Sequence, residues 1–431
     1  MGCYRDINHS DFGDEEEDEV EVEVVVDQND KTTLRKRGEK KSNNNGKGNG
    51  NGIINSKWFS LYSNNNNNNN NHHGHDQNDT IILREPLIIS APMFGSANGK
   101  LAGEVTKAGG IGFIGGGYLF NSDSQQLIDL ASQLTTARQV LGVPKDGKNT
   151  MMPVGVGFIL CHESTVLFVK SILPILKQNR PAAVWLFAPR PEDVESGVVK
   201  DIVQALKKEN FMVWFQVGTV EGARRAAMDG ADVLVAQGAD AGGHAFEGGA
   251  GVISLVVEVK RMLEDLAEKK QKELGKVQVV AAGGFVEGSG VAAALALGAE
   301  GVVMGTRFLL AEEAGTPEWR QGLLIASNDG GPSTYKSPVM DDIQGTAIWP
   351  KDIDGRALKT DSVRDHIEGL PLKENIALFG AAKASGNTSR MITWAGTGVG
   401  LLNRVQPAGE IVKEVREEAI SRIKTLRSYN F

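Results

Sequence analysis

Apolar residues are unevenly spread along this chain. From position 87 onward they gather in eight runs, at 87–94, 111–117, 153–159, 182–188, 211–217, 232–238, 277–284 and 301–308. Each run reads as continuously apolar rather than alternating, the pattern of strands buried on both faces. Helix-like stretches lie between several of them. Those at 97–108, 220–229 and 288–297 are followed by Gly109, Gly230 and Gly298, residues suited to ending a helix. Eight buried strands with helical crossovers predict an α/β fold, a (β/α)8 TIM barrel over 81–310. An open doubly wound sheet is the alternative. No G-x-G-x-x-G opens a helix after the first run, so a dinucleotide fold is the weaker reading.

The pattern changes on either side of the barrel. Residues 311–390 lack clear strand–helix alternation and read as a smaller helix-rich substrate or lid domain over the barrel mouth, with a loop at Asp329-Gly330-Gly331-Pro332-Ser333. Residues 391–431 read as a segment returning to the barrel. It holds the glycine-rich Trp394-Ala395-Gly396-Thr397-Gly398, then an amphipathic helix over 407–428 that turns Ile411, Val412, Val415, Ile420 and Ile423 to the core. Residues 1–80 predict a disordered low-complexity tail. It is acidic at 14–23, basic at 31–41 and Asn/Gly-rich at 42–52, and it has an asparagine run at 64–71 followed by His72, His73 and His75. Such segments bury too little apolar surface to offset chain entropy. A loose metal site at these histidines is the weaker reading, and no metal is expected. The apolar pieces at 20–26 and 58–62 are the parts of the tail able to dock.

Composition adds bounds. The 431 residues suffice for one large domain or two smaller ones. The apolar share of 41% is slightly low because of the tail. A net charge of −8, much of it in the tail, argues against a general nucleic-acid or acidic-membrane binder. The two cysteines, Cys3 and Cys161, allow no disulfide framework or cysteine-rich metal site, which suits a reducing compartment. With no bilayer-length apolar run and no signal-peptide pattern, a cytoplasmic location is expected. Met1-Gly2-Cys3 superficially matches an acylation site, but position 6 is Asp6 where Ser or Thr is required.

Candidate chemistry gathers at the ends of the runs. The run at 232–238 ends in Gln237-Gly238 and continues Ala239-Asp240-Ala241-Gly242-Gly243-His244. The paired glycines let backbone approach a ligand, and His244 is presented at a strand's C-terminal end, where parallel α/β folds place their chemistry. An imidazole there can move a proton near neutral pH or hold an anion. The last two runs end in Ala282-Gly283-Gly284-Phe285 and Met304-Gly305-Thr306-Arg307. In barrels these two loops commonly bind phosphate through backbone N–H groups, and Thr306 adds a hydroxyl; two ordinary tight turns are the alternative. Met93, in Ala91-Pro92-Met93, packs either on a flat ring or in the core. Gln237 needs partners if buried, from a polar ring edge or from neighbouring loop backbone. His162 also follows a strand and is the rival to His244, but it lacks the double glycine. His366 reads as a surface residue, and Cys161 as a packed thiol rather than a nucleophile.

Taken together, Ala-Pro-Met at 91–93, Gln-Gly-x-x-Ala-Gly-Gly-His at 237–244, Ala-Gly-Gly-Phe at 282–285 and Met-Gly-Thr-Arg-Phe at 304–308 resemble the nitronate monooxygenases, formerly 2-nitropropane dioxygenases. The resemblance runs from about position 81 to the C-terminus. It implies an FMN-binding TIM barrel that oxidises alkyl nitronates, and nitroalkanes as a further class, with dioxygen to a carbonyl compound and nitrite without a metal. It implies that Gly283, Gly284, Gly305 and Thr306 hold the FMN phosphate. It also implies that Ala91, Met93 and Gln237 contact the flavin, that Gly242 and Gly243 let backbone approach it, and that His244 positions the nitronate or abstracts a proton from the nitroalkane. Many relatives carry an asparagine near the end of the third strand, where this chain reads Gly155-Val156-Gly157-Phe158. A flavin-dependent NAD(P)H reductase of enoyl-thioesters or quinones on the same scaffold is the alternative enzyme. A flavin-binding barrel with a partner-recruiting tail is the non-enzymatic alternative. The expected partners are a small-molecule substrate and dioxygen, not nucleic acid or membrane; the sequence is silent on oligomeric state.

Overall fold

The structure, a computed structural model, describes residues 22–26, 32–36, 83–144, 150–268 and 272–428. The chain divides into two compact units, Met1–Asn55 and Ser56–Phe431. In the first, β1 (Val22–Val26) pairs antiparallel with β2 (Thr32–Lys36), so the apolar piece at 20–26 finds its partner in the basic stretch that follows. The asparagine run, the His72–His75 cluster and the apolar piece at 58–62 lie outside the described residues.

The second unit is built on eight parallel strands: β3 (Leu87–Ser90), β4 (Phe113–Gly115), β5 (Met152–Ile159), β6 (Pro181–Phe187), β7 (Met212–Val217), β8 (Val233–Gln237), β10 (Gln278–Ala282) and β11 (Gly301–Met304). Each lies within or against one of the eight apolar runs. They pair in the order β3-β11-β10-β8-β7-β6-β5-β4. The ends meet through a parallel bridge between Ile89 and Ile111, with Ser90 N donating to Ile111 O and Ile111 N to Ile88 O, both at 3.0 Å. The sheet closes as a TIM barrel.

Alternation along each strand explains the continuous apolar runs. Ile89, Phe113, Trp185, Trp214, Val235, Val280 and Val303 fill the barrel interior. Their neighbours Ile88, Ile114, Val184, Val213, Leu234, Val279 and Val302 pack outward against the helices. On β5 the inward positions are Gly155 and Gly157. A Cβ at Gly155 would run into the Phe113 ring, and one at Gly157 into Pro92. The glycines make room for an aromatic plug in which Phe113 meets Trp185 and Trp214 edge-on at 5.2 and 5.0 Å.

The small region is helix-rich, as expected, and also carries a sheet that the sequence did not announce. A three-stranded antiparallel sheet, ordered β12-β13-β9, joins β9 (Gly243–Phe246), β12 (Thr334–Ser337) and β13 (Ile353–Leu358). His244 therefore sits on a strand, facing Gly355 across the ladder, and not in a glycine turn. Helices Val339–Gln344, Asp361–Ile367 and Leu372–Ala384 pack beside this sheet around Met340, Val363 and Phe379. The terminal helix, Ala408–Arg427, buries Ile411, Val412 and Val415 as expected. Ile420, however, is exposed and Ile423 half-buried. Ala419 takes the contact position, because the helix comes so close to Gly288 that a Cβ there would meet the Ala419 backbone. Among the described residues no helix is long and apolar enough to cross a membrane.

Candidate active site at the barrel mouth

A chain of buried amides fixes the backbone of the mouth histidine. Trp185 Nε1 donates to Gln216 Oε1 at 3.1 Å, Gln216 Nε2 to Gln237 Oε1 at 2.8 Å, and Gln237 Nε2 to the His244 carbonyl at 3.1 Å. The direction is forced at both ends: an indole N–H only donates and a carbonyl only accepts. Gln237 is thus satisfied by its neighbours, with one amide N–H remaining. Arg356 on β13 clamps the intervening loop, its Nε and Nη2 donating to Ala239 O at 3.3 and 3.1 Å while Nη1 holds Thr334 Oγ1. Burial pulls the Arg356 guanidinium below its ordinary pKa, against the opposing charges of Asp240 and Asp354. Beside it, the half-buried Lys336 pairs with Asp354 and donates to Phe246 O at 3.0 Å.

The His244 side chain is enclosed on three sides. Trp349 stacks on one face, with centroids 3.6 Å apart and planes inclined by 17°. Trp394 approaches at 4.6 Å and 52°. Gly355, opposite His244, admits that indole, since a Cβ there would collide with it. On the ring edge, Nε2 lies 2.9 Å from Asp341 Oδ2, and Thr346 Oγ1 donates to Asp341 Oδ1 at 2.7 Å. The two side chains keep only 15% and 5% of their exposure.

The strand-end glycines come together at the same mouth. β10 and β11 are neighbours in register, Ala282 beside Val303, so their following loops adjoin. Gly283 and Gly284 take φ of +106° and +79°. At Gly283 a Cβ would sit 2.8 Å from Gly238 O, and at Gly284 it would sit 3.2 Å from Asp240 Cβ. Thr306 opens a short 3-10 turn, Thr306–Leu310. Among the described residues no acceptor takes the N–H of Gly283, Gly284, Gly305 or Thr306. Met93 Sδ and Ala91 Cβ border Gly305. The returning segment seals this corner: Gly396 N donates to Thr306 Oγ1 at 3.0 Å, Thr397 N to Asp240 O at 3.0 Å, and Gly242 lies against Ala395 and Gly396.

The structure thus places every sequence-predicted site residue around one mouth. His162 is set apart, because its Nδ1 accepts from Ser164 N at 3.1 Å and caps the turn Glu163–Leu167. His366 is half-buried on a peripheral helix, near Tyr335. Cys161 is free and buried, and burial pushes its thiol up to about 12. No cluster of metal-ligating side chains occurs among the described residues. Sequence reasoning missed Asp341, Thr346, Trp349, Arg356 and Gln216. Only Gln216 carried a signal, as a polar residue inside an apolar run.

Fold and site together define a TIM-barrel protein with a histidine and a cradle of backbone donors at the C-terminal mouth. The nitronate monooxygenase family model matches residues 77–418, and the chain belongs to that family. It is 49% identical over 353 residues to the nitronate monooxygenase of Neurospora crassa, an alignment covering 80% of this chain and 92% of that protein. It is 35% identical over 344 residues to a nitronate monooxygenase of Metarhizium robertsii, covering 78% and 91%. Among solved structures, FabK from Thermotoga maritima superposes with a TM-score of 0.60 at 25% identity, covering 80% of this chain and 95% of that one. Nitroalkane oxidase from Streptomyces ansochromogenes shares the fold with a TM-score of 0.59 at 22% identity, covering 79% and 98%. The protein is an oxidoreductase of this family.

Proposed function

We propose that the protein binds FMN and uses dioxygen to convert alkyl nitronates to carbonyl compounds and nitrite. The reading is carried by the unpaired N–H groups of Gly283, Gly284, Gly305 and Thr306 at the same mouth as His244. Backbone donors without acceptors, on adjoining strand ends, suit a phosphate monoester. In this reading Ala91 and Met93 border the isoalloxazine, and the remaining Gln237 N–H meets its polar edge. Gly242 and Gly243, one pressed on Ala395 and the other at φ +73°, bring backbone toward it. The bound flavin supplies the redox chemistry. The chain's own residues bind, orient and exclude water. Two nitronate anions and one dioxygen balance two carbonyl compounds and two nitrite ions, so no further reductant is needed. His244, held between indoles, positions the substrate.

The test is direct. Purified protein releases FMN on denaturation, identified by chromatography. Under air it consumes oxygen and forms acetone and nitrite from propyl-2-nitronate. Absence of any flavin, or oxygen uptake without nitrite, overturns the reading.

A further inference from the structure

We propose that Asp341 is the positioning residue that fixes His244 with hydrogen on Nε2, leaving Nδ1 as the base that removes the α-proton of a neutral nitroalkane. This rests on the nitronate-oxidising reading above and extends it to the step that makes the nitronate.

Trp349 covers one face at 3.6 Å, and Trp394 crowds the ring from 4.6 Å. Nε2 is taken by Asp341 at 2.9 Å. A carboxylate only accepts, so Nε2 carries the hydrogen. Nδ1 is then the ring's lone pair, and it has no hydrogen-bond partner among the described residues. Asp341 is itself held: Thr346 Oγ1 donates to its other oxygen, and Thr346 N donates to its backbone carbonyl at 2.9 Å. An aspartate that orients a histidine and stabilises the imidazolium is the arrangement that makes histidine an efficient base in hydrolytic triads. Stacked indoles favour the same cation.

In the step, the Nδ1 lone pair takes the α-hydrogen as a proton. The C–H electron pair becomes the C=N π bond of the nitronate, and negative charge passes to the nitro oxygens. Nothing is oxidised. The imidazolium that forms faces the Asp341 carboxylate through Nε2–H, and its proton returns to solvent after turnover.

The experiment uses flavin-loaded full-length protein and two substrates, nitroethane and preformed ethylnitronate. For Asp341→Asn the amide can donate to Nε2, which selects the opposite tautomer and moves hydrogen onto Nδ1. The ratio of kcat/KM on nitroethane to that on ethylnitronate should fall by about 10²-fold, with flavin content unchanged. Asp341→Glu should recover part of the ratio, and adding Asp341→Asn to His244→Asn should lower it no further. If Asp341→Asn does not fold, Thr346→Val reads the same ratio, with a smaller fall expected. Equal losses on both substrates, or an unchanged ratio, overturn the proposal. Wild-type protein active on ethylnitronate but not on nitroethane overturns it while leaving the nitronate reading intact. Activity on neither substrate removes the nitronate reading itself.

Discussion

Two side chains near the mouth have the chemistry of nucleophile or base, and their surroundings separate them. Cys161 is buried, and desolvation pushes its thiol up to about 12, with the negative charge of Asp341 adding to the effect. It stays protonated throughout the neutral range and lacks the thiolate that reacts. In the folded protein at pH 7.5, iodoacetamide should leave Cys161 unlabelled in peptide maps, while denatured protein is labelled there. Labelling at the rate of a free thiol would contradict its assignment to the packed wall. His244 keeps an accessible edge and a fixed partner, and is the residue proposed to carry the chemistry. Its place was legible in the sequence because the double glycine and the preceding strand are adjacent to it. Asp341 was not, being 97 residues away on a short helix with no local pattern to mark it. Trp349 and Trp394 read equally well as core. What makes them part of the site is a ladder pairing, Gly355 opposite His244, which no run of residues announces.

At the scale of elements, the two strand-end loops divide into glycines the fold needs and one it does not. Gly283 and Gly284 have positive φ, so a side chain at either is strained at a cost of about 1–2 kcal/mol. Gly305 has φ −98°, and a Cβ there would make only ordinary contacts at 3.7 and 3.8 Å with Met93 and Ala91. Gly305→Ala should therefore leave the thermal midpoint of flavin-free protein nearly unchanged while weakening FMN binding, read by fluorescence titration. Gly284→Ala should lower that midpoint by about 2–4 °C per kcal/mol of strain. If Gly305→Ala binds FMN as tightly as wild type, the phosphate lies elsewhere. The barrel strands were legible because burial on both faces makes each an unbroken apolar run. The small sheet was not, since β9 and β12 are four residues each, hold no apolar run and are only partly buried. The same limit explains Ile420: periodicity located the helix, but close packing on Gly288 decided which residue met the core.

Across the whole molecule, one architecture serves both halves of the site. The closed barrel aligns the ends of β8, β10 and β11, and the segment at 394–398 ties those loops together. The small sheet then carries His244 from the barrel into a second layer where Asp341, Trp349 and Trp394 can reach it. On the proposed function, donors for an anionic cofactor come from the barrel, and the base with its support from the cover. The measurement that bears most directly on this account is an anaerobic titration of the flavin-loaded protein, with propyl-2-nitronate in one sample and NADPH in another. Rapid bleaching of the flavin by the nitronate is expected, with little by NADPH. Bleaching by NADPH with none by the nitronate would contradict it and make the barrel a nicotinamide-dependent reductase.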